Sequence, residues 1–132
     1  MLLVDTNILL DVVNRDENWV SWSAGQLRMQ GRVHQLLLNP VVYAEVSPAY
    51  ASPRALDAHL EGIGFAYREI PREALYIAGL AHRYYRREGG PRTSILADFL
   101  IGAHAAVLRC GILTRDARRY RRYFPRVPLV TP

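Results

Sequence analysis

LLVDTN, residues 2–7, runs three apolar residues into a carboxylate at Asp5 and then into Thr6, a residue suited to capping a helix. A short apolar run bounded in this way reads as a buried strand, followed by a helix over 6–14 with Thr6 at its start and Asn14 at its end. A buried strand that delivers a bare acid needs a reason, because a charge near the core is costly unless it is paired. The same event recurs along the chain. Apolar stretches carry one acid each at Glu45 in NPVVYAEV (39–46), Asp98 in ILADFLIGAHAAVL (95–108) and Asp116 in GILTRDARR (111–119).

Working outward, residues 18–30 carry a helical apolar stripe through Trp19, Trp22 and Leu27, closed by Gly31, and 33–38 reads as a second strand. Asn39-Pro40 is a strong helix start, a capping side chain followed by proline at the first helical position, and it places Glu45 in the second turn. Pro48 and Pro53 interrupt the residues beyond Glu45, so this helix is expected to be short or kinked. A helix over 54–61 ends at Gly62-Ile63-Gly64, and 65–70 is a third strand. The long helix 72–88 runs into REGGPRTS (87–94), where Ser94 can cap the next helix, 95–109. A fourth strand at 112–114, a short basic helix at 116–124 and an edge strand at 127–130 complete the chain. Alternating strands and helices predict one α/β domain over 1–132, with a mainly parallel central sheet of about five strands flanked by helices.

Composition agrees: 132 residues, 50% hydrophobic and 22% charged, make one ordinary globular domain and exclude intrinsic disorder. No apolar run reaches membrane-spanning length, and the N-terminus lacks the basic region of a signal peptide. Cys110 is the only cysteine, so no internal disulfide forms and a cytoplasmic location is expected. The net charge of +5 conceals an asymmetry. All 17 basic residues are arginine; residues 1–61 hold four of them against seven acids, and residues 62–132 hold thirteen against five. A basic half suggests a polyanion partner, since arginine grips phosphate bidentately; arginine without lysine is equally a product of genomic base composition.

In an open parallel sheet, ligands sit at the carboxyl ends of the strands. Asp5 and Asp116 follow strands directly, and Glu45 and Asp98 lie early in helices that can lead away from that same edge. Four carboxylates gathered at about 5 Å repel by roughly 3 kcal/mol per pair at an effective dielectric near 20. Protonation, arginine neighbours or a divalent cation relieve this, and Mg²⁺ or Mn²⁺ suits an all-oxygen set. Beside an arginine-rich surface, such a cluster fits phosphodiester hydrolysis. Three of the acids also have a simpler role open to them, while Glu45 sits in the apolar stretch VVYAEVSP, where a solvent-facing role fits less well. Asp5 and Asp116 can cap the helices that come after them, and Asp98 can sit in solvent at a helix N-terminus. Thr6, Asn7 and Thr114 are local cappers that can also orient the acids.

Other chemistries fail specific checks. DTN lacks the second aspartate of a DxD phosphatase motif, and a Walker-type loop or receiver domain needs a lysine. Gly62-Ile63-Gly64 lacks the third glycine of a dinucleotide loop. His34, His59, His82 and His104 stand more than twenty residues apart, without zinc spacing, and read as core or surface residues. The tyrosines and arginines of HRYYRREGG (82–90) and RRYRRYF (118–124) serve equally as an RNA-gripping surface or as solvated helix faces.

VDTNILLD, VVYAEV, ADFLIGAHA and LTRDARRY, in this order, resemble the PIN domain, most closely the VapC toxins of toxin–antitoxin pairs, over essentially the whole chain. The resemblance implies a metal-dependent endoribonuclease using Mg²⁺ or Mn²⁺ and leaving 5′-phosphate and 3′-hydroxyl ends. It also implies a homodimer held inactive by an antitoxin, whose C-terminal segment often places an arginine among the acids. Carried over by motif, Asp5, Glu45, Asp98 and Asp116 form the acidic site, with Asp5, Asp98 and Asp116 as metal ligands and Thr6 or Asn7 and Thr114 in support. Arg86, Arg87, Arg118, Arg119, Arg121 and Arg122 are the expected RNA contacts. Pro48 and Pro53 depart from relatives in which the helix after Glu45 continues. Two rivals share the fold: an RNA-binding PIN module without catalysis, and a PIN nuclease of RNA processing without a toxin role.

Overall fold

The computed structural model describes residues 1–91 and 96–132. Its centre is β1 (Leu2–Val4), whose three residues are all buried. β2 (Leu36–Leu38) flanks it on one side and β4 (Gly111–Leu113) on the other, both in parallel, with Leu3 opposite Leu37 and Ile112. β3 (Phe65–Tyr67) pairs with β2 and β5 (Leu129–Val130) with β4, giving an all-parallel sheet of order β3-β2-β1-β4-β5. Continuous apolar runs such as LLV and LLL suit strands covered on both faces. From β1 the chain winds out through β2 to β3, then crosses back to β4 on the opposite side. The reversal falls between β1 and β4, and in open parallel sheets ligands bind outside the carboxyl ends of the strands at such a point.

Seven α-helices surround the sheet among the described residues: α1 (Thr6–Val13), α2 (Val20–Gln30), α3 (Pro40–Val46), α4 (Pro53–Ile63), α5 (Arg72–Arg87), α6 (Ala97–Leu108) and α7 (Arg118–Tyr123). Asn39 caps α3 by accepting from the Val42 amide at 3.1 Å. Its amide nitrogen lies 3.2 Å from Nδ1 of the buried His104, which ties the start of α3 to the middle of α6. Burial lowers the pKa of His104 and favours its neutral form, in keeping with a core histidine. Pro48 and Pro53 act as expected: α3 stops at Val46, a 3₁₀ turn occupies Ser47–Ala49, and α4 starts at Pro53. Gly64 closes α4 at φ 101°, a left-handed conformation that glycine adopts without steric cost.

α6 is apolar nearly all round and is buried at Phe99, Ile101, Gly102, Ala103, His104 and Ala105. It packs on α5 and α7. A β-carbon at Gly102 would fall 2.3 Å from the Phe124 ring, so the absent side chain lets the end of α7 close onto α6.

Several boundaries differ from the sequence expectation. Of the two candidate caps of α1, Asp5 and not Thr6 takes the role, because its carboxylate accepts from the Thr6 amide at 2.7 Å. The strands expected at 33–38 and 65–70 shrink to three residues each: Val33 is 73% exposed, and β3 ends at Tyr67. α6 is described from Ala97, and both the start expected at residue 95 and the capping role expected of Ser94 lie outside the described residues. Ala117, not Asp116, is the cap residue of α7.

Leu3 is fully buried in the central strand. Leu3→Ala is therefore expected to lower unfolding free energy by about 2–5 kcal/mol in urea titration. A loss under about 1 kcal/mol would show that the core collapses into the space.

Candidate active site

β1 and β4 end side by side, and the residues just beyond them form one hydrogen-bonded unit. The Asp5 side chain, only 6% exposed, accepts from the Thr114 hydroxyl at 2.8 Å and from the Tyr120 hydroxyl at 3.0 Å. Asn7 adds a longer bond to the same Asp5 oxygen at 3.4 Å and another to the Thr114 hydroxyl at 3.3 Å. Thr114 in turn accepts from the Asp116 amide at 3.1 Å, and the Asn7 side-chain carbonyl accepts from the Arg115 amide at 3.3 Å. The loop after β4 is thus fastened to the start of α1. Thr6 turns its hydroxyl outward to Glu45, 2.6 Å away on α3.

The electrostatics follow from this burial. Loss of solvent pushes the Asp5 carboxyl from its ordinary 3.8 up to about 6. The Thr114 bond lowers it, the charge of Asp98 raises it, and the bonds from Tyr120 and the Thr6 amide lower it again. Tyr120 is raised well above its usual value, first by burial and then by the charges of Asp5 and Asp98, with a smaller contribution from Glu45. Asp5, Asp98 and Glu45 therefore share one electrostatic neighbourhood centred on a buried phenol.

The other two aspartates meet arginines. Arg119 donates to Asp98 at 3.0 Å while its guanidinium lies 5.6 Å from the centre of the Tyr85 ring. Arg118 forks onto both Asp116 oxygens at 3.1 Å, and that bond holds the Asp116 pKa below the usual carboxylate range. Asp116 is exposed, with its carboxylate on Arg118. Among the described residues, no three His, Cys, Asp or Glu side chains converge on one metal position as placed. The chain alone thus applies two remedies to clustered acid, a raised pKa at Asp5 and guanidinium partners at Asp98 and Asp116. A buried carboxylate so destabilised in its charged form, next to a second one with oxygen donors only, has the chemistry a hard divalent cation requires.

Of the arginines expected on RNA, Arg122 is paired with Glu88. Arg86, Arg87 and Arg121 are exposed and carry no ion pair among the described residues. Arg83, Arg86, Arg87 and Gly90 line a shallow cleft at the end of α5.

Sequence reasoning missed Tyr120 and the pair Asp11–Arg115. A tyrosine four residues after Asp116 is a signal of sorts, since one turn of helix can bring it back to the acids and a buried phenol needs a partner. Asp11 interrupts the apolar face of α1 and is 2% exposed; it accepts from Arg115 Nε at 2.9 Å and from the Ser23 hydroxyl at 2.7 Å. Arg115 also lies 5.4 Å from the Trp19 ring centre. This assembly clamps the loop that carries Asp116 to α1 and α2.

Residues 2–125 match the family described as PIN domain. The chain belongs to the PIN domain family. Among solved structures this PIN domain is similar to VapBC2 from Rickettsia felis bound to a DNA fragment from its promoter, with TM-score 0.73 and 18% identity over 99% of this chain and 98% of that one. It is also similar to DNA-bound VapBC from Salmonella typhimurium (TM-score 0.70, 16% identity, 98% and 96% covered). A third, FitAcB from Neisseria gonorrhoeae, gives TM-score 0.63 at 21% identity, with 98% and 96% covered. At these identities the likeness is one of fold. No curated protein matches by sequence.

Because the folded PIN domain binds the Asp5 proton more tightly than the unfolded chain (about 6 against 3.8), ionising Asp5 weakens the fold as pH rises between those values. That penalty is absent below about pH 4 and complete above about pH 6. Relative to wild type in metal-chelating buffer, Asp5→Asn is expected to gain up to about 3 kcal/mol of stability between pH 4 and pH 7 by urea titration. An unchanged difference would mean that Asp5 ionises as freely as an exposed carboxylate.

Proposed function

We propose that this PIN domain is a metal-dependent endoribonuclease of the VapC type, the toxin of a toxin–antitoxin pair. The observation that carries this is the buried Asp5 at the carboxyl ends of β1 and β4, bonded to Thr114 and raised to about 6 with Asp98 contributing. Exposed arginines of α5 and α7 belong to the chain's basic half, and Arg119 of α7 reaches Asp98. Asp5 and Asp98 are assigned as ligands of Mg²⁺ or Mn²⁺, with Asp116 joining them when released from Arg118 and Glu45 completing the acidic set. When bound, the metal supplies positive charge for the phosphate and lowers the pKa of the attacking water.

The chain's own residues do the rest. Thr114, Tyr120 and the Thr6 amide fix the Asp5 carboxylate through three hydrogen bonds, so the ligand is held in place before metal or substrate arrives. Thr6 does the same for Glu45. Arg86, Arg87 and Arg121, without ion pairs among the described residues, are assigned to RNA phosphates; Arg118, Arg119 and Arg122 join them by exchanging one anion for another. An antitoxin is the proposed partner, supported by fold neighbours that are toxin–antitoxin complexes. A homodimer is supported by the exposed Leu75, Tyr76, Leu80 and Tyr84 on α5. The cytoplasm is the proposed location, and no helix among the described residues is long and apolar enough to cross a membrane.

Purified chain is expected to cut labelled total RNA with Mg²⁺ or Mn²⁺ and to stop with EDTA. Asp5→Asn and Asp98→Asn should each lose about 100-fold or more, the scale of removing a group that acts on the transition state. Retained cutting in either variant would overturn the site. Charge reversal at Arg86, Arg87 and Arg121 is expected to weaken RNA binding and to flatten its salt dependence by about 0.7 per lost phosphate contact. Unchanged affinity and slope would remove these residues from the RNA path.

A further inference from the structure

A cleft of about 420 Å³ opens on the far side of α3 from the acids. Tyr43 lines it two residues before Glu45, roughly 200° away around the helix. Its walls are aromatic: Tyr43 and Tyr67 meet at right angles (89°) with ring centres 6.0 Å apart, and Phe65 stands beside them over a floor of Leu38 and Leu60. The two charged residues of the lining, Asp57 and Glu61, are both acids. They lie one turn apart on α4 and therefore point the same way.

Among the described residues neither acid has an ion pair, although the chain carries a net charge of +5. The basic residue just beyond β3 is turned elsewhere, with Arg68 donating to the Met1 sulfur. Tyr43 donates its hydroxyl to Asp57 at 2.8 Å, which fixes that ring and leaves the second Asp57 oxygen and the whole Glu61 carboxylate open. Electron-rich ring faces at a right angle attract a cation. Two carboxylates one helical turn apart select a flat one with several donors, because a guanidinium can lie on a ring while its N–H groups reach both acids.

We infer that the cleft formed by Tyr43, Tyr67, Phe65, Asp57 and Glu61 is a receptor for an arginine side chain of a partner protein. It is separate from the acids assigned to RNA cleavage, and it stands or falls independently of that activity. The partner's segment docks its arginine in the aromatic corner, and the guanidinium offsets one of the two charges of the Asp57–Glu61 pair.

The test is an amide NMR titration of the full chain with the tripeptide acetyl-Gly-Arg-Gly-amide and with its citrulline counterpart, which keeps the shape and loses the charge. The arginine peptide is expected to shift the amides of Tyr43, Asp57, Glu61 and Tyr67, and the citrulline peptide to leave them in place. Glu61→Gln and Tyr67→Ala, both at solvent-facing positions and checked for retained spectral dispersion, should each weaken binding by about twofold to fivefold, the range of one exposed cation contact removed. Equal shifts with citrulline, or shifts confined to Asp5, Asp98 and Asp116, would overturn the proposal. So would self-association of the chain that Glu61→Gln abolishes, since that assigns the cleft to a second copy.

Discussion

Everything at the carboxyl edge of this sheet depends on one buried carboxylate held by hydroxyl and amide donors. Asp5 caps α1, joins β1 to β4 through Thr114, and draws α7 inward through Tyr120. Each bond stabilises the charged form, and burial opposes it more strongly, leaving the group near 6. The balance is the reverse of a structural ion pair, where burial accompanies a matched partner. Asp11 shows that other arrangement a few residues away, with Arg115, Ser23 and Trp19 surrounding it. The same short helix thus begins at an acid with no cation and buries, two turns later, an acid fully compensated.

Much of this was legible in the chain. LLV followed by an acid marks a buried parallel strand, because apolar residues on both faces require cover. Asn39-Pro40 fixed the start of α3, and Pro48 with Pro53 fixed its end, since proline restricts the chain whatever the tertiary context. The same order of motifs pointed to the PIN domain, and the family match over residues 2–125 establishes it.

Other features were not legible, for physical reasons. Thr6 and Asp5 are both good caps, and only the tertiary demand of Glu45 for the Thr6 hydroxyl decides between them. Strand lengths at 33–38 and 65–70 depend on how far neighbouring strands extend, which no local pattern encodes. The pairing of Arg119 with Asp98 spans 21 residues and that of Arg115 with Asp11 spans 104; charge counts give no hint of such partners. Tyr120 looked like one ring in a basic helix, and its role appears only when α7 packs against the end of β1.

Gly102 links this chemistry to the core. The missing β-carbon admits the Phe124 ring against α6, and Phe124 comes directly after the last residue of the six-residue helix that bears Arg118, Arg119 and Tyr120. A helix that short has little stiffness of its own and takes its seat from the ring at its end. One hydrogen atom at position 102 therefore sets the reach of a phenol to Asp5 and of a guanidinium to Asp98. The acidic crevice is tuned from the protein interior, by volume and not by charge, and drift in core packing at this point would be felt first as altered electrostatics at the surface.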